Sequence, residues 1–148
     1  MIEQIQIRDL GVISEAQLDV GPGLTVLTGE TGAGKTMVLN ALGLLLGSRS
    51  DASAIRKGQQ QAFVEGRWIL PKDALERITA SGIEIEDGEL LVSRSISAEG
   101  RSKATVSGRS VPVGVLAEIG EHLVVVHGQS DQIRLKSAAA QRLSLIHI

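Results

Sequence analysis

Apolar and polar residues alternate over Ile5-Gln6-Ile7-Arg8 and again over Ala16-Gln17-Leu18-Asp19-Val20, the period-2 signature of strands with one buried face. Gly11 lies between them, so the two are expected to pair as an opening antiparallel hairpin. Gly21-Pro22-Gly23 is a turn that delivers the chain into Leu24-Thr25-Val26-Leu27, an apolar, β-branched run of the buried-strand type. Met37 to Leu46 is long enough for three helical turns and apolar on nearly every face. That pattern predicts a buried helix, with Gly47 as its stop.

Ser48 to Gly58 is polar, glycine-flanked and partly basic, a connector in its plainest reading. From Gln61 the alternation returns, placing Ala62, Val64, Gly66, Trp68 and Leu70 on one face of a strand that ends at Pro71. A short helix over Asp73 to Ala80 follows, then turns at Ser81-Gly82 and Asp87-Gly88. Glu89 to Ile96 and Arg101 to Val106 predict a hairpin around Ala98-Glu99-Gly100. Arg94, Arg101, Lys103 and Arg109 cluster on or near it, either as a solvated charged face or as phosphate contacts. Val113 to Gly120 reads as a short helix. Leu123-Val124-Val125-Val126 is a continuous β-branched run of the parallel-strand type, flanked by His122 and His127 at an odd separation that argues against a shared metal.

Between the Leu24 run and the apolar helix stands Gly29-Glu30-Thr31-Gly32-Ala33-Gly34-Lys35-Thr36, which satisfies G-x-x-x-x-G-K-[ST] at every constrained position. Strand before and helix after are what this motif requires. Backbone N–H groups of a glycine-rich turn, together with the positive end of the next helix, attract an anionic phosphate. Gly32 and Gly34 let the backbone approach it. Lys35 can reach the β- and γ-phosphates, and the Thr36 hydroxyl can ligate magnesium, so ATP and Mg2+ are the expected cofactors. The loop after the Leu123 run, His127-Gly128-Gln129, is expected beyond the carboxyl end of a buried strand, on the rim that carries the phosphate loop. Gln129 there has a neutral oxygen to offer magnesium or water, which makes it a second candidate with Lys35.

The chain has 148 residues, one domain's worth, with a net charge of −2 and no cysteine. Near-balanced charge removes any global field for nucleic acid, so a DNA contact must be local. Absence of cysteine excludes a disulfide framework and thiolate zinc sites. Phe63 and Trp68 are the only aromatic residues, too few for a base-stacking platform. The start lacks the pattern of a signal peptide, and the longest apolar run is too short to cross a bilayer, so no membrane partner is expected. One element is absent: no run of four apolar residues ends in Asp or Glu, the carboxylate that a self-sufficient phosphate-loop hydrolase needs to hold magnesium.

Leu27 to Thr36, Ala52 to Gly58, Gly100 to Val106 and Val126-His127-Gly128-Gln129 together resemble the N-terminal head segment of the RecN family, SMC-like ATPases of DNA double-strand-break repair. The resemblance spans about Met1 to Arg142. It implies an α/β phosphate-loop NTPase fold, the N-terminal lobe of an ABC/SMC-type head with an antiparallel β subregion and a parallel core sheet. It also implies that residues 1–142 are half of a head completed by the protein's own C-terminal segment. Two such heads would sandwich ATP in a homodimer, acting on DNA in the cytoplasm in association with the nucleoid. Lys35 and Thr36 carry over as phosphate and magnesium residues, Gln129 as the glutamine that senses the γ-phosphate, and Arg56 as the arginine coupling DNA to ATP. Residues 143–148 lack any cap or stop chemistry and are expected to be a non-native tail. The competing readings are a self-sufficient kinase or small NTPase, and a transporter-type ATPase subunit.

Overall fold

In the computed structural model, which describes residues 1–30 and 33–124, the opening alternation folds as expected but over a longer span. Strands β1 (Ile2–Leu10) and β2 (Ile13–Asp19) pair antiparallel, with Ile5 opposite Leu18 and Ile7 opposite Ala16. Four further strands complete one sheet: β3 (Gln61–Ile69), β4 (Glu89–Ser97), β5 (Ser102–Val106) and β6 (Arg109–Val111), in the order β2-β1-β3-β4-β5-β6. Every pairing among the described residues is antiparallel. The predicted β3 face is the buried one, with Ala62, Val64, Trp68 and Leu70 in the core. The short β6 escaped the sequence reading, because three residues are too few to display a period.

Three helices cover one face of this sheet. Helix α1 (Ala33–Leu45) lies across β1, β3 and β4, while α2 (Lys72–Ala80) and α3 (Val113–Leu123) lie against each other. Gly66 shows how closely α1 is seated. A Cβ there would come within 2.4 Å of the Trp68 ring and 2.9 Å of Leu45, so the indole folds over a glycine, beneath α1. The other sheet face is polar, bearing the Gln4–Asp19 hydrogen bond at 2.7 Å, the Ser93–Thr105 hydroxyl pair at 2.6 Å and the Arg67–Glu3 ion pair at 3.0 Å.

Four expectations are corrected. Leu24 to Leu27 belongs to no strand, and Leu24 is 91% and Val26 69% exposed; a parallel strand needs ladder partners, and none stands beside it among the described residues. Helix α1 is not buried all round. Ala41, Leu44 and Leu45 face the sheet, whereas Leu39 is 62% exposed. Helix α3 runs past Gly120 to Leu123, so His122 sits exposed in its last turn and Leu123 is helical. Gly120 is a contact glycine, since a Cβ there would meet Leu46 at 3.2 Å. Finally, Arg94 is buried, at 2% exposure, and leaves the basic cluster: strand alternation turns it inward with Leu90, Val92 and Ile96. Of the rest, Arg101 pairs with Glu99 at 3.6 Å and Arg109 with Glu84.

Candidate functional site

The phosphate loop opens α1. Ala33, Gly34, Lys35 and Thr36 already have helical backbone, so the first-turn N–H groups, which have no carbonyl partner within a helix, are presented at the loop. Thr31 and Gly32 lie outside the described residues. Beside the loop is an open pocket of about 310 Å³ lined by Ile13, Leu27, Thr28, Gly29, Glu30, Gly34, Lys35 and Val38. The Lys35 ammonium donates to the carbonyls of Gly29 and, at 3.1 Å, of Glu30. It therefore stands inside the loop's curve, a cation that an incoming phosphate would share with those carbonyls. Thr36 is exposed on the first turn.

Two glycines of the motif are informative through their surroundings. A Cβ built on Gly29 or Gly34 meets nothing within 4 Å, and neither residue has a positive φ. Among the described residues neither internal packing nor backbone conformation therefore demands glycine at these positions, and both leave open space into which a group from outside can come close.

The pocket's other wall is the β1–β2 turn. Gly11, at φ +55°, lets this turn press on α1, and a Cβ there would fall 2.3 Å from Met37 Sδ. The connector after α1 straps the same turn from outside: Gly11 N donates to Ala54 O at 2.7 Å and Arg56 N to Asp9 O at 2.8 Å. Asp51 starts this strap by accepting from Ser53 N at 2.9 Å, and the hydrogen bonds from Ser53 hold its carboxyl below the usual range. Arg56 Nη1 donates to Val12 O at 2.8 Å. The structure thus brings Arg56 to the residue preceding Ile13 of the pocket wall, a proximity that spacing in the sequence did not reveal.

Gln129, with His127, Gly128 and the end of the Leu123 run, lies outside the described residues, as does the 143–148 tail. Val124, the last described residue, has extended backbone at φ −145° and ψ 142°. Among the described residues no cluster of His, Asp or Glu is arranged to hold a metal without a ligand's help, and no helix is long and apolar enough to cross a membrane. A second open pocket, edged by Glu84, Glu86, Asp87 and Glu89, lies apart from the loop and presents only negative charge around Arg109.

With this geometry in hand, comparison with known proteins is specific. DNA repair protein RecN of Streptomyces coelicolor is 54% identical over 95% of the chain, and that of Mycobacterium leprae 44% identical over 98%. The chain spans about a quarter of the length of these relatives. Among solved structures, an SMC ATPase studied for ATP-driven dimerisation and DNA-stimulated activation superposes with a TM-score of 0.68 at 17% identity, covering 99% of this chain and 97% of that one. These matches agree with the resemblance read from the motifs and fix the fold as that of an SMC-type head lobe. The profile of the family described as an AAA domain matches residues 4–139, and the chain belongs to that family.

Proposed function

We propose that the chain is the ATP-binding N-terminal segment of a RecN-like ATPase acting in DNA double-strand-break repair. The observation that carries this reading is an open pocket beside the phosphate loop with Lys35 directed to the carbonyls of Gly29 and Glu30, and open space at Gly29 and Gly34. In this reading Gly29 to Gly34 cradle the phosphates with backbone N–H groups, Lys35 neutralises their charge, and Thr36 orients magnesium. Magnesium held there would supply neutralisation of phosphate charge. Gln129 contributes one further oxygen at the rim.

Hydrolysis is proposed to need more than this chain. The acidic residue after an apolar strand is missing from the sequence, and the exposed Leu24 to Leu27 run, which pairs with no strand among the described residues, is available to the protein's own C-terminal segment. A second head then closes over the nucleotide, the homodimer acting on DNA in the cytoplasm, at the nucleoid. Arg56 is the proposed link to DNA. A DNA phosphate competing for its guanidinium would release Val12, next to the pocket wall.

Titration with a fluorescent ATP analogue and Mg2+ tests the reading. Lys35→Ala should weaken binding by an order of magnitude or more, on the scale of a lost charge-assisted contact, about 1.5–3 kcal/mol. Steady ATP turnover should appear only when the C-terminal segment of a relative is added. Equal binding by wild type and Lys35→Ala would remove the site assignment, and turnover by the chain alone would favour the small-NTPase reading.

A further inference from the structure

Arg94 is the only charged side chain buried among the described residues. Taking a guanidinium out of water is expensive unless something replaces the lost hydration. No carboxylate pairs with it among the described residues. Its partners are neutral: Nε donates to Ser102 Oγ at 2.7 Å, and Nη1 donates to the carbonyls of Leu44 and Ser48 at 3.1 Å each. Desolvation lowers its pKa from the ordinary arginine value, yet a guanidinium starts so high that it stays a cation.

The Leu44 carbonyl belongs to the last turn of α1, and the Ser48 carbonyl to the segment just beyond it. There the chain closes in a Schellman arrangement, with Gly47 at φ +83°, Ser48 N donating to Gly43 O at 2.9 Å and Gly47 N to Leu44 O at 3.2 Å. The end of a helix carries partial negative charge on its last carbonyls. That charge, not an acidic side chain, is what stabilises Arg94. The guanidinium grips the rod at its end, on both sides of the Gly47 turn, and adds a directional polar tie along the axis to the apolar packing on the helix side.

The other end of the same helix carries Lys35 and Thr36. Helix α1 has 13 residues and is therefore about 20 Å long, at ~1.5 Å per residue. It is stiff over that length, so a shift at Leu44 is felt at the phosphate loop. Near its start α1 is met by the Gly11 turn against Met37, a contact from the side. We infer that Arg94 is a positioning residue for the nucleotide: anchored on β4 and oriented by Ser102 of β5, it sets the axial register of α1 and thereby where Lys35 and Thr36 meet the phosphates. The inference rests on the reading of Gly29 to Thr36 as a nucleotide site. It also makes the β4–β5 hairpin a remote control point for affinity, because displacing Ser102 displaces the grip.

The test uses the purified chain, a fluorescent ATP analogue with Mg2+, and the variants Ser102→Ala, Arg94→Lys, Arg94→Met and Lys35→Ala, each titrated well below its own unfolding midpoint. Ser102→Ala keeps the buried cation and should fold. It is expected to weaken the analogue by roughly fivefold, the lower end of ordinary coupling between sites. Arg94→Met should weaken it further, and Arg94→Lys should recover part of the loss, having the charge without the fork. A purely structural Arg94 would lower the unfolding midpoint and leave the dissociation constant of the folded protein untouched; that result, with Lys35→Ala still defective, overturns the inference alone. Should Arg94→Met fail to fold, Ser102→Ala and Arg94→Lys decide by the same criterion. A wild type that binds no better than Lys35→Ala overturns the inference together with the nucleotide reading.

Discussion

The antiparallel sheet and the phosphate-loop segment are parts of one chain with opposite degrees of self-sufficiency. In the sheet, each of the neighbours β1–β2, β4–β5 and β5–β6 is joined by a short turn, and the buried residues of one strand meet those of the next. Between β2 and α1, by contrast, residues 21–30 are all exposed, including Leu24 and Val26. Both stretches are apolar enough to form strands. What separates them is whether the partner is at hand: β1, β3 and β4 find theirs among the described residues, by a hairpin or across a longer connection, whereas residues 24–27 have no ladder partner among the described residues. The sheet therefore stands on its own contacts, and the phosphate loop is held by α1 and the β1–β2 turn.

The largest effect that would break this contrast is on the sheet side. Trp68 is fully buried, with its ring over Gly66 and against Leu45. Trp68→Ala should cost about 3–5 kcal/mol in denaturant unfolding, the range for emptying an aromatic core site. The indole Nε1 is buried without a hydrogen-bond partner among the described residues, so Trp68→Phe should be much milder, since it removes an unsatisfied donor along with some volume. A small effect of the alanine variant would mean that the sheet is not the self-supporting part.

Next in size is Gly47, where sheet-bound helix and phosphate loop share a support. Its left-handed backbone and the Ala117 backbone nitrogen, 2.6 Å from where a Cβ would stand, both oppose a side chain. Gly47→Ala should lose about 1–2 kcal/mol from the backbone conformation alone, with the clash added. A midpoint shift in thermal unfolding measures it. Gly58, also left-handed at φ +89° but with nothing within 4 Å, is the matched control and should show the conformational part only.

The sheet was legible in the sequence chiefly through its period. Alternation over Gln61 to Leu70 named the buried face correctly because a period of two is local, although the strand's partners, β1 and β4, come from other parts of the chain. Arg94 was available in that pattern too: Leu90, Val92, Arg94 and Ile96 share a face, and a cation in register with three core residues signals a buried role more than a basic patch. At the phosphate loop, spacing alone carries the proposal for Gly29 to Thr36, since the motif encodes a local backbone shape. Arg56 and Val12 are 44 positions apart, and no periodicity announces such a contact. Gly120 misled for a physical reason, as a glycine can serve close packing against Leu46 as readily as a helix end. The Leu24 run was assigned to a buried strand on composition, which records what a segment is able to join and not whether its partner is at hand.

The smallest expected effect sharpens the contrast most. Leu24 and Val26 are apolar yet 91% and 69% exposed, so replacing both with serine should change the unfolding free energy of the chain by no more than about 0.5 kcal/mol, as for surface positions in general. Serine also lowers the β propensity of the run and its apolar area, which matters only if a strand from elsewhere docks there. The double variant should therefore unfold like wild type by itself, bind the ATP analogue with little change, and fail when the C-terminal segment of a relative is added to restore turnover. A loss of more than about 1 kcal/mol in the isolated chain, beyond the range for an exposed site, would mean that Leu24 and Val26 are buried there in solution, and the difference between the two regions would disappear. Equal stability with undiminished reconstitution would leave the contrast standing but show that the partner strand docks elsewhere.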